Sequence, residues 1–240
     1  HDADAHTTVT KRSEEDFKWR YSDVSTNCRN GFLEFSMTPN RNAIIQAPTY
    51  CSSYKILPGD VLVFKHVIEY EKPTREIDIF SRFWSFCVAQ LKRGQVFAKR
   101  GDELIAVHGR WGLWVPPFSI LEWRILPGAI EFEAMLCGSR HPAYLPTEPV
   151  GFPYDDPQFP DSAEAVFSCL RSHVKQYTSC RRGTGKDRRA LETKRYIDKT
   201  YLDNIGISEI ARNLDIPRTA LARSFKRAFG ISPVFYRNRL

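Results

Sequence analysis

The stretch IPRTALARSFKRAFGISP, residues 216–233, places four cations and three large apolar side chains within what reads as a single helix. At about 100° per residue, Leu221, Phe225, Ala228 and Phe229 gather on one side. Thr219, Arg223 and Lys226 lie nearly opposite, flanked by Ala222 and Arg227. Pro217 suits the first helical position, where its missing N–H would be unpaired in any case. No Asp or Glu occurs between Pro217 and Leu240, so no i,i+4 ion pair relieves the repulsion on the polar face. Such a face meets either bulk water or an external polyanion.

The residues just upstream predict a partner helix. Ile207, Ile210, Ala211 and Leu214 share one side, Gly206 can serve as N-cap, and Glu209 is placed to cap the start. Asp215, Ile216 and Pro217 then form a tight turn, with Asp215 where a helix-turn-helix commonly has Gly. A further helix is expected over residues 187–201, after a basic hinge at Gly183 and Gly185 with Arg181, Arg182 and Lys186. The Gly-Thr-Gly-Lys run there lacks the spacing of a phosphate loop, and no strand leads into it.

Charge is distributed unevenly. From Cys180 onward, 15 Lys and Arg face 6 Asp and Glu, whereas residues 1–179 carry 20 against 22. A basic unit joined to a near-neutral one is the footprint of a polyanion-binding module. Double-stranded DNA offers about one phosphate per 1.7 Å of axis, and Arg forks onto guanine edges in its major groove. In that geometry Thr219, Ala222 and Arg223 project into the groove, and Arg218, Lys226 and Arg227 contact phosphate.

Residues 25–138 read differently. Short β-rich runs such as VLVF (61–64), FWSFCVAQL (83–91), WGLWV (111–115), ILEWRI (120–125) and AIEFEA (129–134) are punctuated by Gly and Pro, which predicts an all-β barrel or sandwich. Residues 1–24 form an N-terminal arm. Residues 139–186 make a Pro-rich extended linker and an interdomain helix. That helix should be capped by a box at Asp161-Ser-Ala-Glu164, and its stripe of Val166, Leu170, His173 or Val174, and Tyr177 either covers the barrel or pairs with a second copy. The fold class expected is α+β, with a β-rich N-terminal domain and an all-α region over residues 187–240.

Several functions find no support in the sequence. No run approaches the roughly 18 apolar residues of a membrane span, and residues 1–30 lack an apolar signal core. A cytoplasmic protein without membrane contact is expected. Cys28, Cys51, Cys87, Cys137, Cys169 and Cys180 form no C-x-x-C pair, so they read as buried structural thiols. His66, His108 and His141 are isolated and read as structural. No metal, cofactor or catalytic constellation is expected, and the protein is not expected to be an enzyme.

The run from Tyr196 to Leu240 resembles the DNA-binding region of AraC/XylS-type bacterial transcription regulators, through Ile210-Ala211, Leu221, Phe225-Lys226, Gly230, Ser232-Pro233 and Tyr236. Pro217 stands where that family commonly has a capping Ser. The family pairs two helix-turn-helix units, of which the resemblance covers the first; the chain is expected to be truncated before the second. It implies a cupin-like N-terminal barrel that senses a small-molecule effector and forms a homodimer, with duplex DNA and RNA polymerase as partners. Metal-using cupins carry a His shortly after a turn that here reads Val115-Pro-Pro-Phe118, followed by Ile120 and Leu121, so the resemblance implies no metal. An aromatic pocket formed by Trp111, Trp114, Phe118 and Trp123 is the expected effector site. Rival readings are a cupin-type metalloenzyme with a helical appendage and a protein-interaction module.

Overall fold

The computed structural model describes the side chains of residues 51–57, 61–80, 82–91, 96, 105, 109–138, 140–173, 187–203 and 205–240, and elsewhere only the backbone of assigned strands and of the end of one helix. The side chains of Cys28 and Cys180, His108, the hinge at 181–186 and most of the N-terminal arm lie outside the described residues.

Among the described residues, fourteen strands precede the helices. They are β1 (Lys18–Trp19), β2 (Ser25–Arg29), β3 (Phe32–Ser36), β4 (Asn42–Ala47), β5 (Tyr50–Leu57), β6 (Val61–Tyr70) and β7 (Thr74–Ile79). Then come β8 (Trp84–Leu91), β9 (Val96–Arg100), β10 (Glu103–Ile105), β11 (Gly109–Val115), β12 (Ile120–Ile125), β13 (Gly128–Cys137) and β14 (Val150–Pro153). An eight-stranded sheet has the order β1-β4-β5-β6-β13-β8-β11-β14, a four-stranded sheet the order β10-β9-β12-β7, and β2 pairs with β3 alone.

Period-two alternation decides what each face buries. On β8, Ala89 and Leu91 face the smaller sheet, together with Trp111, Leu113 and Val115 of β11; Val96, Leu121 and Ile125 meet them from the other side. The even residues Trp84, Phe86 and Val88 point the opposite way, into a second core with Trp114, Met135 and Phe152. The larger sheet is therefore covered on both faces, which explains why β8 reads as a continuous apolar run rather than an alternating one.

Helix α1 (Ala163–Tyr177) covers that second face, with Val166 and Leu170 buried in the sheet's core. Its cap differs from the expectation by one residue: the Ser162 hydroxyl, not Asp161, accepts the Ala165 amide at 3.2 Å. The Pro-rich segment before it is more than a linker. Val150–Pro153 forms β14 on the outer edge of the large sheet, pairing Gly151 with Leu113 and Phe152 with Gly112. Its prolines obscure the strand in the sequence, yet an edge position tolerates Pro153 because one side of the strand needs no N–H.

Gly151 is required by close approach. A Cβ there would lie 2.7 Å from the Trp111 ring and 2.5 Å from Ile105 Cγ2. Gly151→Val should therefore destabilise the protein by about 1–3 kcal/mol through overpacking, read as a lower urea midpoint; an unchanged midpoint would show that β14 can move aside.

Four more helices follow: α2 (Arg188–Thr200), α3 (Ile207–Asn213), α4 (Arg218–Phe229) and α5 (Pro233–Arg237). Ile197, Ile210, Leu221, Phe225 and Tyr236 form their shared core, and Ile77, Ile79 and Ile120 of the smaller sheet pack against it. The helical region thus sits on the outer face of that sheet. The architecture is α+β, a β-rich domain followed by helices.

Candidate functional site

Helices α3 and α4 are joined by the turn 214–217. Asp215 adopts a left-handed φ of 52°, a conformation that short polar residues tolerate better than most, so it replaces the expected Gly without breaking the turn. Pro217 sits one place earlier than predicted, at the N-cap of α4, and no side chain caps that end. Gly206 is the N-cap of α3, likewise without a side-chain bond, so Glu209 occupies the first turn without capping it. Gly230, at φ 75°, ends α4 by donating its amide to the Lys226 carbonyl at 2.8 Å, as a left-handed C-terminal residue does.

The packing of α4 separates its faces. Leu221, Ser224 and Phe225 are buried, while Arg218, Thr219, Arg223, Lys226 and Arg227 are exposed and Ala222 is half-buried. Among the described residues, no ion pair involves Arg218, Arg223, Lys226 or Arg227. One acid does approach from outside the helix. Asp187, the N-cap of α2, accepts a hydrogen bond from the Ser224 hydroxyl at 2.7 Å. That bond, then the Arg189 amide, then the charges of Arg189 and Arg227, hold its carboxyl below the usual range against a small opposing effect of burial.

Below this, a cavity of about 900 Å³ opens between the two sheets. Even residues of β6 (Phe64, His66, Ile68, Tyr70), odd residues of β8 and β11, and Ile130, Phe132 and Ala134 of β13 line its large-sheet wall. Trp123 and Ile125 of β12 line the other wall, and β7 forms its margin. Lys226, Gly230, Ile231, Ser232, Phe235 and Arg239 of the helical region also border it.

His66 and Cys87 on these walls are strongly perturbed. His66, within 6 Å of the Tyr54, Phe64 and Phe132 rings (centroid distances 5.6, 4.6 and 4.9 Å), has its pKa pushed down to about 3 by burial. Burial pushes the Cys87 thiol up to about 12. Asp78 is exposed and presents its carboxylate to the open cavity. The protein packed around it raises its pKa, while a hydrogen bond from Trp123 Nε1 at 2.7 Å and the charge of Arg239 act in the other direction. Among the described residues, no group of three or more His, Cys, Asp or Glu gathers at metal-binding distances.

No protein-family model matches the sequence, and no curated protein matches it. Among solved structures, the fold is similar in part to AerE from Microcystis aeruginosa, at 10% identity over 46% of this chain and 51% of that one, with a TM-score of 0.37. It is similar in part to Ylba from E. coli, at 10% identity over 59% of each chain and a TM-score of 0.35. A cupin superfamily protein from Desulfitobacterium hafniense shares 11% identity over 43% of this chain and 84% of its own, with a TM-score of 0.30. This chain thus spans just over half the length of the first two. The functional reading rests on its own side chains.

Two of the four aromatics expected in the pocket, Trp111 and Trp123, do line the cavity. Trp114 does not. It lies three residues from Trp111 on the same strand, so the pleat turns it to the opposite face, where its ring is 5.5 Å from that of Trp84 and its indole N–H donates to the Pro146 carbonyl at 2.9 Å. Phe118 also lies elsewhere. It has a left-handed φ of 60° at the β11–β12 turn, and its ring meets Tyr201 of the helical region at 5.6 Å.

That turn is a docking point. The Tyr236 hydroxyl donates to Asp198 Oδ1 at 2.6 Å and lies 3.2 Å from the Phe118 carbonyl, while Lys194 Nζ donates to Asp198 Oδ2 at 2.7 Å. Burial raises the Asp198 pKa against the pull of Lys194 and Tyr236.

The six α4 residues selected from the sequence stay on one helix, but they divide along it. Arg218, Thr219, Ala222 and Arg223 belong to its first half, whereas Lys226 in the last turn borders the cavity. The cavity also draws in Asp78, His66 and Phe235, which are not among the expected site residues. His66 could have been found by extending the 61–64 strand along its even residues; Asp78 and Phe235 meet only through tertiary packing.

Proposed function

We propose that the chain is a transcription regulator of the AraC type, with α3 and α4 as a helix-turn-helix that presents α4 to the DNA major groove and a cupin-like barrel whose cavity takes a small-molecule effector. The observation that carries this reading is the unpaired cationic face of α4. Four exposed cations on one turn-delimited helix, of which Arg227 alone has an acid, Asp187, acting on it among the described residues, need an external anion or remain mutually repelled. The first half of α4 supplies the base-reading residues Thr219, Ala222 and Arg223; Arg218, Lys226 and Arg227 supply phosphate contacts. The protein acts as a homodimer in the cytoplasm, without enzymatic activity of its own, and bears on RNA polymerase through the promoter it occupies.

A duplex recovered by selection from random sequence, titrated by fluorescence anisotropy, tests this. Three phosphate contacts predict an affinity loss of roughly fortyfold per protomer between 50 and 200 mM salt. Arg223→Ala should relax sequence preference, whereas Lys226→Ala should weaken all sequences alike. Binding by the Arg223→Ala/Lys226→Ala double variant indistinguishable from wild type would refute the assignment.

A further inference from the structure

We propose that the cavity binds an apolar molecule carrying a protonated amine, with the amine on Asp78 and the helical region closing over it. This rests on the reading of the cavity as an effector site and specifies its ligand.

The walls fix the apolar part. Trp111, Leu113, Val115, Ile130 and Phe132 offer no charge, and the large volume admits a ligand with a substantial ring or chain. His66 and Cys87 are uncharged at neutral pH. Of the two carboxylates on these walls, Glu76 and Asp78, Asp78 is the one bonded to Trp123, and it has an oxygen to spare. Its Oδ2 takes the Trp123 indole N–H at 2.7 Å, and no hydrogen bond to Oδ1 occurs among the described residues.

A carboxylate exposed to the cavity with one protein hydrogen bond keeps lone pairs for a donor on the ligand. A cationic donor bonds a carboxylate more strongly than a hydroxyl does, and the adjoining Trp123 ring is a surface on which an ammonium group is attracted.

A resident cation already approaches this point. The charge of Arg239, from the end of the helical region, acts on Asp78, and its guanidinium also lies 5.4 Å over the Phe235 ring. Arg239 and Phe235 both border the cavity. An incoming amine therefore competes with Arg239 for Asp78 and touches the helical region directly. Ile77 and Ile79, on either side of Asp78 in β7, point the other way into the helical core, so one strand carries both the ligand contact and the docking contact.

Calorimetry on the full chain, without DNA, tests this with three matched probes: 4-phenylbutylamine, 4-phenyl-1-butanol and 4-phenylbutyrate. The amine should bind about tenfold tighter than either other probe, Asp78→Asn should remove that advantage while leaving the alcohol unchanged, and Arg239→Gln should tighten the amine. The Arg239 variant keeps the test informative should Asp78→Asn fold poorly. Preference for the butyrate would assign the cavity to anions held by Lys226 and Arg239 and overturn the proposal; so would binding of none of the probes, or an amine advantage that survives Asp78→Asn. Amine binding with no DNA binding would refute the regulator and leave the amine site standing, whereas DNA binding with no amine preference would do the reverse.

Discussion

Phe225→Ala is expected to lower the unfolding free energy of the helical region by about 3–5 kcal/mol, the cost of removing a fully buried aromatic ring from a core that cannot collapse around the space. Phe225 is buried at the centre of the cluster that joins α2, α3, α4 and α5, with its ring 4.6 Å from Phe229 and 5.6 Å from Tyr236. The five tryptophans, at positions 19, 84, 111, 114 and 123, all precede the helices. Urea unfolding followed by far-ultraviolet circular dichroism and by tryptophan fluorescence therefore reports the two parts separately. The dichroism midpoint should drop sharply in the variant while the fluorescence midpoint moves less, and DNA binding should vanish with the helical signal. Coincident shifts of both midpoints would instead show that the docking of Ile77, Ile79 and Ile120 makes the chain one cooperative unit.

The helical half is legible because its signals are local. The 3.6-residue spacing of Leu221 and Phe225 acts within a turn or two, and the structure buries both as expected; Gly230 as the left-handed end and Ser232 Oγ accepting the Phe235 amide at 3.1 Å are equally local, though the sequence offers these residues only through the family resemblance. The caps at Asp161, Glu209 and Pro217 are less secure because neighbouring residues can satisfy the same orphan amides, so the boundary slides by one residue or goes uncapped.

The barrel is legible as a class but not as a pocket. Strand content follows from β-branched and aromatic runs between Gly and Pro. Which aromatic faces inward, however, depends on counting register from a fixed point, and Trp111 and Trp114 come out on opposite faces for that reason alone. β7 does not read as a strand in the sequence because its charged residues Arg75, Glu76 and Asp78 mask the alternation. The arrangement that makes those charges tolerable, Arg75 paired with Glu122 at 3.0 Å on the outer face and Asp78 bonded to Trp123 on the inner one, exists only after β12 has paired with β7. The meeting of Asp78, Arg239 and Phe235 is more remote still, since it requires the helical region to sit on that sheet.

His66→Phe is expected to remove an acid sensitivity from the β-rich domain. His66 is buried among Tyr54, Phe64 and Phe132, and its pKa in the folded chain lies at about 3, against an ordinary value of 6.5. Above pH 6.5 the imidazole is neutral in both folded and unfolded chains and contributes no pH dependence. As the pH falls from 6.5 toward 3, the unfolded chain takes up a proton that the folded chain refuses, so stability declines with falling pH at up to about 1.4 kcal/mol per unit. By pH 4 the decline attributable to this one side chain reaches about 3 kcal/mol. Carboxylates and other groups titrate in wild type and variant alike, so the loss of stability between pH 7 and pH 4, compared between the two proteins in urea, isolates the histidine. Wild type should lose about 3 kcal/mol more than His66→Phe over that range. Parallel losses would mean that the ring is already protonated within the fold, which would place a second charge on the cavity wall facing Asp78 and weaken its hold on an amine.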